Sequence, residues 1–320
     1  MKNKNGKNDC ETTSDGLTLM QILNRFSTDD AARQHLEGVR WKNGIVCPHC
    51  GCNDQTKFSG VQANPEKKVR AGLRWCSACE KQFTVTIGTI FEDSHIPLQK
   101  WLIAWYLVCS SKKGVSSLQL QRQLELGSYR TALFMTHRIR HALKDPTFTD
   151  KLSGTVEADE TWVGGKTRGH GRHYVGNKTP VVSLVERGGR KRSLVMTRVT
   201  GKNLKEALTE HVDPSATVMT DDFRGYRKAA KGFAKHETVN HSAGEYVRGD
   251  AFTNTVESSF SLLKRGVMGT FHSISKKHLP LYLAEFDHRW NHRKISDGQR
   301  TEEGLKKVEG KRLTYHRPKN

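Results

Sequence analysis

The spacing of apolar residues changes several times along this chain, and the changes divide it. Leu17, Met20, Ile22, Leu23 and Phe26 recur at helical spacing, and Ser27 or Thr28 would cap a second helix, opened by Asp29 and Asp30 and running toward Trp41. Gly44 and the first cysteine end that pattern. Cysteines and glycines dominate residues 47–79, and Phe83-Thr84-Val85-Thr86-Ile87 reads as β-rich up to Gly88. Helical periodicity returns from Leu98 to Leu143. Beyond it, β-branched runs at 155–163, 181–186, 193–199, 217–220 and 236–241 are interleaved with helical segments near 203–211 and after Arg224. Strands followed by helices predict an α/β sheet domain. Residues 252–264 and 276–290 read as helices, residues 1–15 as a polar, disordered start, and residues 301–320 as a basic tail.

Charge narrows the function. Fifty-three Lys and Arg stand against 33 Asp and Glu, a net charge of +20. Such an excess favours polyphosphate through counterion release, so nucleic acid is the expected partner. The opening residues lack the apolar stretch of an export signal, and the longest apolar run, Trp101 to Cys109, is far short of the ~20 residues that span a bilayer. A cytoplasmic protein without membrane attachment is expected, and its seven cysteines should be metal ligands or free thiols.

Cys47-Pro-His-Cys50 and Cys76-Ser-Ala-Cys79 are two CxxC knuckles separated by residues 51–75. Two such knuckles can complete the tetrahedral four-thiolate site that Zn²⁺ favours, with a hairpin bearing Lys67, Lys68 and Arg70 absorbing the long spacing. A redox pair would need no second copy. Cys52 and His49 are weaker ligand candidates, and the zinc is expected to be structural.

Residues 114–143 predict two helices, the first capped by Ser116 or Ser117 and the second by Ser128, with Gly127 in the turn between them. Ala132, Met135, Ile139 and Ala142 share one face of the second helix. Tyr129, Arg130, Phe134, Arg138 and His141 are expected on the other, Arg130 and Arg138 facing DNA as in a helix-turn-helix. An ordinary helical hairpin has the same periodicity.

Glu157, Asp159 and Glu160 lie inside a predicted strand, where charge is costly unless it meets a cation. Asp221 and Asp222 end another β-type run, so Asp159 and Asp221 can sit at comparable points on neighbouring strands. In the helix that follows, Val256, Phe260 and Leu263 form a buried stripe, while Glu257 and Lys264, seven residues apart, stack on one side.

Taken with Cys47-Pro-His-Cys-Gly51, Gly88-Thr-Ile-Phe91, Asn254-Thr-Val-Glu257, Leu263-Lys-Arg-Gly266 and Trp290-Asn-His-Arg293, these stretches make the chain resemble the DDE insertion-sequence transposases of the ISXO-like group, across roughly residues 25–300. The resemblance implies an N-terminal zinc ribbon within residues 16–95, a helix-turn-helix segment at 96–150 and an RNase H-like catalytic domain at 151–300. It implies two Mg²⁺ or Mn²⁺ ions held by Asp159, Asp221 and Glu257, with Asn254 the alternative third residue and Glu157, Glu160 and Asp222 as local alternatives. Lys264 and Arg265 would meet phosphates, and Asn291, His292 and Arg293 would buttress the site or touch DNA. The implied partner is double-stranded DNA, both the terminal inverted repeats and the target, bound by a homodimer or higher multimer. A non-catalytic regulator derived from a transposase and a nuclease that never joins strands are the competing readings.

Overall fold

The computed structural model describes residues 17–144, 150–165, 177–240, 247–250 and 252–314. The expected disordered start at 1–15 and the last residues of the basic tail lie outside them.

The chain opens with α1 (Leu19–Arg25) and α2 (Asp29–Arg40). Of the two predicted caps for α2 it is Thr28 that acts, its hydroxyl accepting from the Ala31 amide. A three-stranded antiparallel sheet follows, β1 (Phe58–Gly60), β2 (Arg74–Cys76) and β3 (Lys81–Phe83). Residues 61–73, which carry the predicted basic insertion, join β1 to β2 and close on an Asn64–Val69 bridge. The β-rich run expected at 83–87 ends early, at Phe83. Arg40 donates to the carbonyls of both Val85 and Ile87 at 2.7 Å, so these groups are satisfied by a side chain and not by a strand ladder.

Three helices come next, α3 (Leu98–Ser110), α4 (Ser117–Gln123) and α5 (Tyr129–Leu143). The apolar run noted in the sequence is the middle of α3, where Trp101, Leu102, Ala104, Trp105 and Val108 are all buried. It is a core helix, and no helix among the described residues is long and apolar enough to cross a membrane. Ser116 and Ser128 cap α4 and α5 by accepting from the amides of Gln119 and Thr131. The left-handed residue of the intervening turn is Glu125 (φ 50°), not Gly127.

The second half is a five-stranded mixed sheet in the order β6-β5-β4-β7-β8. Its strands are β4 (Thr155–Gly164), β5 (Lys178–Glu186), β6 (Lys191–Val195), β7 (Thr217–Asp221) and β8 (Lys235–Val239). The first three pair antiparallel, whereas β4–β7 and β7–β8 are parallel. Alternation along the strands gives the sheet two apolar faces. Val156, Ala158, Val182, Leu184 and Val218 pack against α6 (Gly201–His211) and α7 (Arg224–Ala229). Val163, Val181 and Val185 point the other way, toward α8 (Asn254–Gly266) and α9 (Leu279–Asn291). The predicted stripe of Val256, Phe260 and Leu263 is what α8 buries there.

The assigned tail behaves differently from expectation. Residues 297–305 form α10 (Asp297–Leu305), and Leu305 and Val308 enter the same core as α1, α2, α3 and α5. A short apolar pair inside a basic stretch suffices to seat the segment. The chain therefore returns to its N-terminal half after completing the sheet domain.

Helix α9 is the seam between the halves. Its Glu285 is fully buried and accepts from Arg140 of α5 at 2.5 Å and from Arg289, which also donates to the Val108 carbonyl. Arg140 lies 3.9 Å from the centre of the Tyr282 ring. Burial works to raise the Glu285 carboxyl, but the two arginines outweigh it and bring it below the usual carboxylate range. On the sheet side, Asp287 accepts from the Ser193 amide and hydroxyl, and Asn291 pairs with both backbone groups of Lys191. Gly114 (φ 84°) completes the seam, since a Cβ there would overlap Phe271.

Candidate metal centre and active site

The sulfur atoms of Cys47, Cys50, Cys76 and Cys79 all lie within 4.8 Å of one another, with Cys47–Cys79 at 3.7 Å and Cys50–Cys76 at 3.9 Å. A tetrahedron of Zn–S bonds about 2.3 Å long has edges of about 3.8 Å, so the quartet fits that ion. The first knuckle turns through Gly51 (φ 72°), whose amide bonds to the Cys47 carbonyl; the second passes through Glu80 (φ 55°), bonded likewise to Cys76. Burial opposes ionisation at Cys76, yet the backbone amides of Cys79 and Ala78 bring that thiol down to about 7. Cys52 and His49 stay outside the quartet. The Cys52 carbonyl accepts from the Cys47 amide, and the His49 ring lies 3.2 Å from the Gln82 carbonyl.

Carboxylates gather on the five-stranded sheet. The parallel β4–β7 register runs Thr155–Thr217, Val156–Val218 and Glu157–Met219, and its continuation brings Asp159 level with Asp221. Alternation puts both on the face that α8 covers. Each is half-buried, and Asp221 accepts from the Phe223 amide at 3.1 Å while Asp159 accepts from that of Glu160 at 2.7 Å. Glu160 points to the opposite face, where the Tyr226 hydroxyl of α7 donates to it at 2.8 Å. Burial first, and then the charges of Asp221 and Asp159, push Glu160 up to about 7. Concentrated negative charge beside hard carboxylate oxygens is the chemistry that a divalent cation such as Mg²⁺ fits.

Glu257 stands in the first turn of α8, accepting from the Thr253 hydroxyl at 3.1 Å, and Asn254 is the exposed first residue of the helix. Among the described residues the cysteines are the one group of three or more candidate ligands within 4.8 Å, so Asp159, Asp221 and Glu257 do not close to that distance. Lys264 and Arg265 are exposed on the last turn of α8.

Glu157, Asn291 and Arg293 are all engaged within the protein. Glu157 is fully buried and engaged by Arg187 and the start of α8. Asn291 buttresses β6, and Arg293 donates to the Gly189 and Trp290 carbonyls. On α5, Tyr129 and Arg130 are exposed as expected, whereas Phe134 and His141 are half-buried. Arg138 is a correction. It is only 6% exposed, donates to the Glu92 carbonyl and lies 5.5 Å from the centres of both the Trp101 and Phe134 rings. Its long side chain belongs to the core of the N-terminal half.

Some of these roles had faint signals in the sequence. Glu285 and Arg289 are spaced i, i+4 on α9, the spacing at which two side chains of one helix can pair. Arg187 and Tyr226 had none, because their partners are distant in the chain.

The four-cysteine ribbon and the mixed-sheet domain that follows it fall in the two stretches that match transposase domains. The chain belongs to the ISXO2-like transposase family: residues 151–291 match the ISXO2-like transposase domain, and residues 27–82 match the transposase zinc-ribbon domain. An uncharacterized protein in transposable element ISH50 of Halobacterium salinarum is 31% identical over 289 residues, covering 84% of this chain and 93% of that protein. An uncharacterized transposase-like protein of Haemophilus influenzae is 29% identical over 103 residues, covering 32% of this chain and 82% of that protein.

Proposed function

We propose that this chain is an active DNA transposase, cleaving DNA at the ends of an insertion sequence and joining the freed strand to target DNA. The observation that carries the reading is the level placement of Asp159 and Asp221 on adjacent parallel strands. Strand order and direction, antiparallel on one side of β4 and parallel on the other, support an RNase H-like catalytic domain.

Asp159 and Asp221 are the paired ligands of Mg²⁺ or Mn²⁺, with Glu257 the third and Asn254 its alternative. A carboxylate suits a hard dication better than an amide does. When bound, the ions supply Lewis acidity for in-line displacement at phosphorus. Lys264 and Arg265, exposed beyond Glu257 on the same helix, bind phosphates of the strand being cut. The capped pair α4–α5 acts as a helix-turn-helix, with Tyr129 and Arg130 at the exposed start of its second helix. The partner is double-stranded DNA, and two element ends are handled by a dimer or larger assembly inside the cell.

Asp159→Ala tests the reading. Cleavage and joining of a labelled element end should fall at least about a thousandfold, or about 4 kcal/mol of barrier, while binding of the same DNA stays within about twofold. Full activity in that variant would overturn the assignment. Cleavage by the native chain without joined products would instead identify a nuclease.

A further inference from the structure

Helix α8 begins without a cap of its own. The side chain of Thr253, its N-cap residue, accepts from none of the first-turn amides, its hydroxyl donating to Glu257 instead. Glu157 of β4 supplies an acceptor from outside the helix. Its Oε2 accepts the amides of Thr255 at 2.8 Å and Val256 at 3.0 Å; its Oε1 accepts the Thr255 hydroxyl at 2.9 Å and Arg187 Nε at 2.7 Å. A carboxylate offers about four acceptor positions, and all are taken. Glu157 therefore has no lone pair for a metal, although it sits two residues from Asp159 on the same face of β4.

Arg187 completes the clasp. Its two terminal nitrogens donate to the carbonyls of Asp250 and Phe252 at 2.8 and 2.9 Å, and its guanidinium lies 3.5 Å from the centre of the Phe252 ring. One arginine thus neutralises the buried acid and grips the segment leading into α8. Breaking either partner would leave an uncompensated charge, and the start of the helix would lose its fixed point on the sheet.

We propose that Glu157, locked by Arg187, is a positioning residue that sets α8 against β4 and so places Glu257 and Asn254 relative to Asp159. The inference rests on the reading of Asp159, Asp221 and α8 as one metal site. Both candidates for the third residue, Asn254 and Glu257, lie in the first turn of α8, and the first turn is what Glu157 grips. A shift of one ångström there moves the third ligand while leaving Asp159 and Asp221, both on strands, in place.

The test uses the zinc-loaded full-length protein and Mn²⁺ alone, followed by electron paramagnetic resonance titration and by hydrogen exchange. Glu157→Ala is expected to raise the half-saturating Mn²⁺ about tenfold and to remove exchange protection at the Thr255 and Val256 amides. Glu157→Gln keeps an oxygen for those amides but opposes an NH₂ group to Arg187, so it should fall between the native chain and Glu157→Ala. Leu208→Ala, in the core behind the opposite face of the sheet, controls for lost stability and should leave the titration unchanged. Unchanged Mn²⁺ affinity and protection in Glu157→Ala would overturn the inference alone, as would an equal loss of affinity in Leu208→Ala. If Asp159→Asn leaves Mn²⁺ binding intact, the metal site itself is misassigned and the inference falls with it.

Discussion

In the ribbon, each knuckle brings two thiols together through a tight turn, and one hairpin brings the two knuckles face to face. All four sulfurs already lie at zinc-ligand separation. On the carboxylate face, Asp159, Asp221 and Glu257 come from two strands and a helix, and their spacing depends on the register of β4–β7 and on where α8 starts. The first site is written locally, in two turns and one hairpin. The second is a product of the whole sheet domain. The proposed ligand types match this division: soft thiolates would close a structural ion completely, whereas oxygen donors would leave positions for substrate.

The largest expected effect probes that difference directly. Cys76→Ser should reduce bound zinc from one per chain to near none, with loss of about 10 kcal/mol or more of metal-coupled folding in the ribbon. Zinc analysis and circular dichroism read this out, and retention of one tightly bound zinc would break the comparison. Brief chelation should act the other way. It should abolish cleavage reversibly, by removing the labile dication, while zinc content stays at one.

A second effect falls at the seam between the two regions. Glu285→Gln removes the counterion shared by Arg140 and Arg289 in a site closed to water, and such losses cost about 3–5 kcal/mol. The denaturant midpoint should fall accordingly. If unfolding also splits into two transitions, the ribbon-bearing half and the sheet domain are held together chiefly by this triad.

The smallest effect concerns His137, packed 4.4 Å from the His278 ring and near Arg140. Burial first, then Arg140 and His278, lower it to about 4 from an ordinary value of 6.5. The folded state therefore keeps this ring neutral where the unfolded chain protonates it. Its contribution to stability is present above about 6.5 and is lost as pH falls toward about 4. His137→Gln should flatten part of that slope in denaturant midpoints measured from pH 7 to pH 4; an unchanged slope would mean the ring is protonated in the fold.

Much of this was legible in the sequence wherever the signal was local. The CxxC spacing located the thiolate quartet, serine caps located α4 and α5, and apolar periodicity located α8 with its buried stripe. What the sequence misjudged depended on distant partners. Arg138 is spaced as a surface residue of α5, but Trp101 and the Glu92 carbonyl claim it. Residues 297–308 are mostly polar, yet two apolar side chains seat them in the N-terminal core. Glu157 carried the charge pattern of a catalytic acid, and only the fold reveals Arg187 and the α8 amides filling its oxygens.

The triad of Arg140, Glu285 and Arg289 has a geometric outcome. Since α5 cannot swivel without parting Arg140 from the buried anion on α9, the helix proposed to read a DNA sequence and the strands proposed to cut it form a caliper with its jaws locked. On the proposed roles, the number of base pairs between recognised sequence and severed bond is set by the protein's own dimensions, not by a flexible tether.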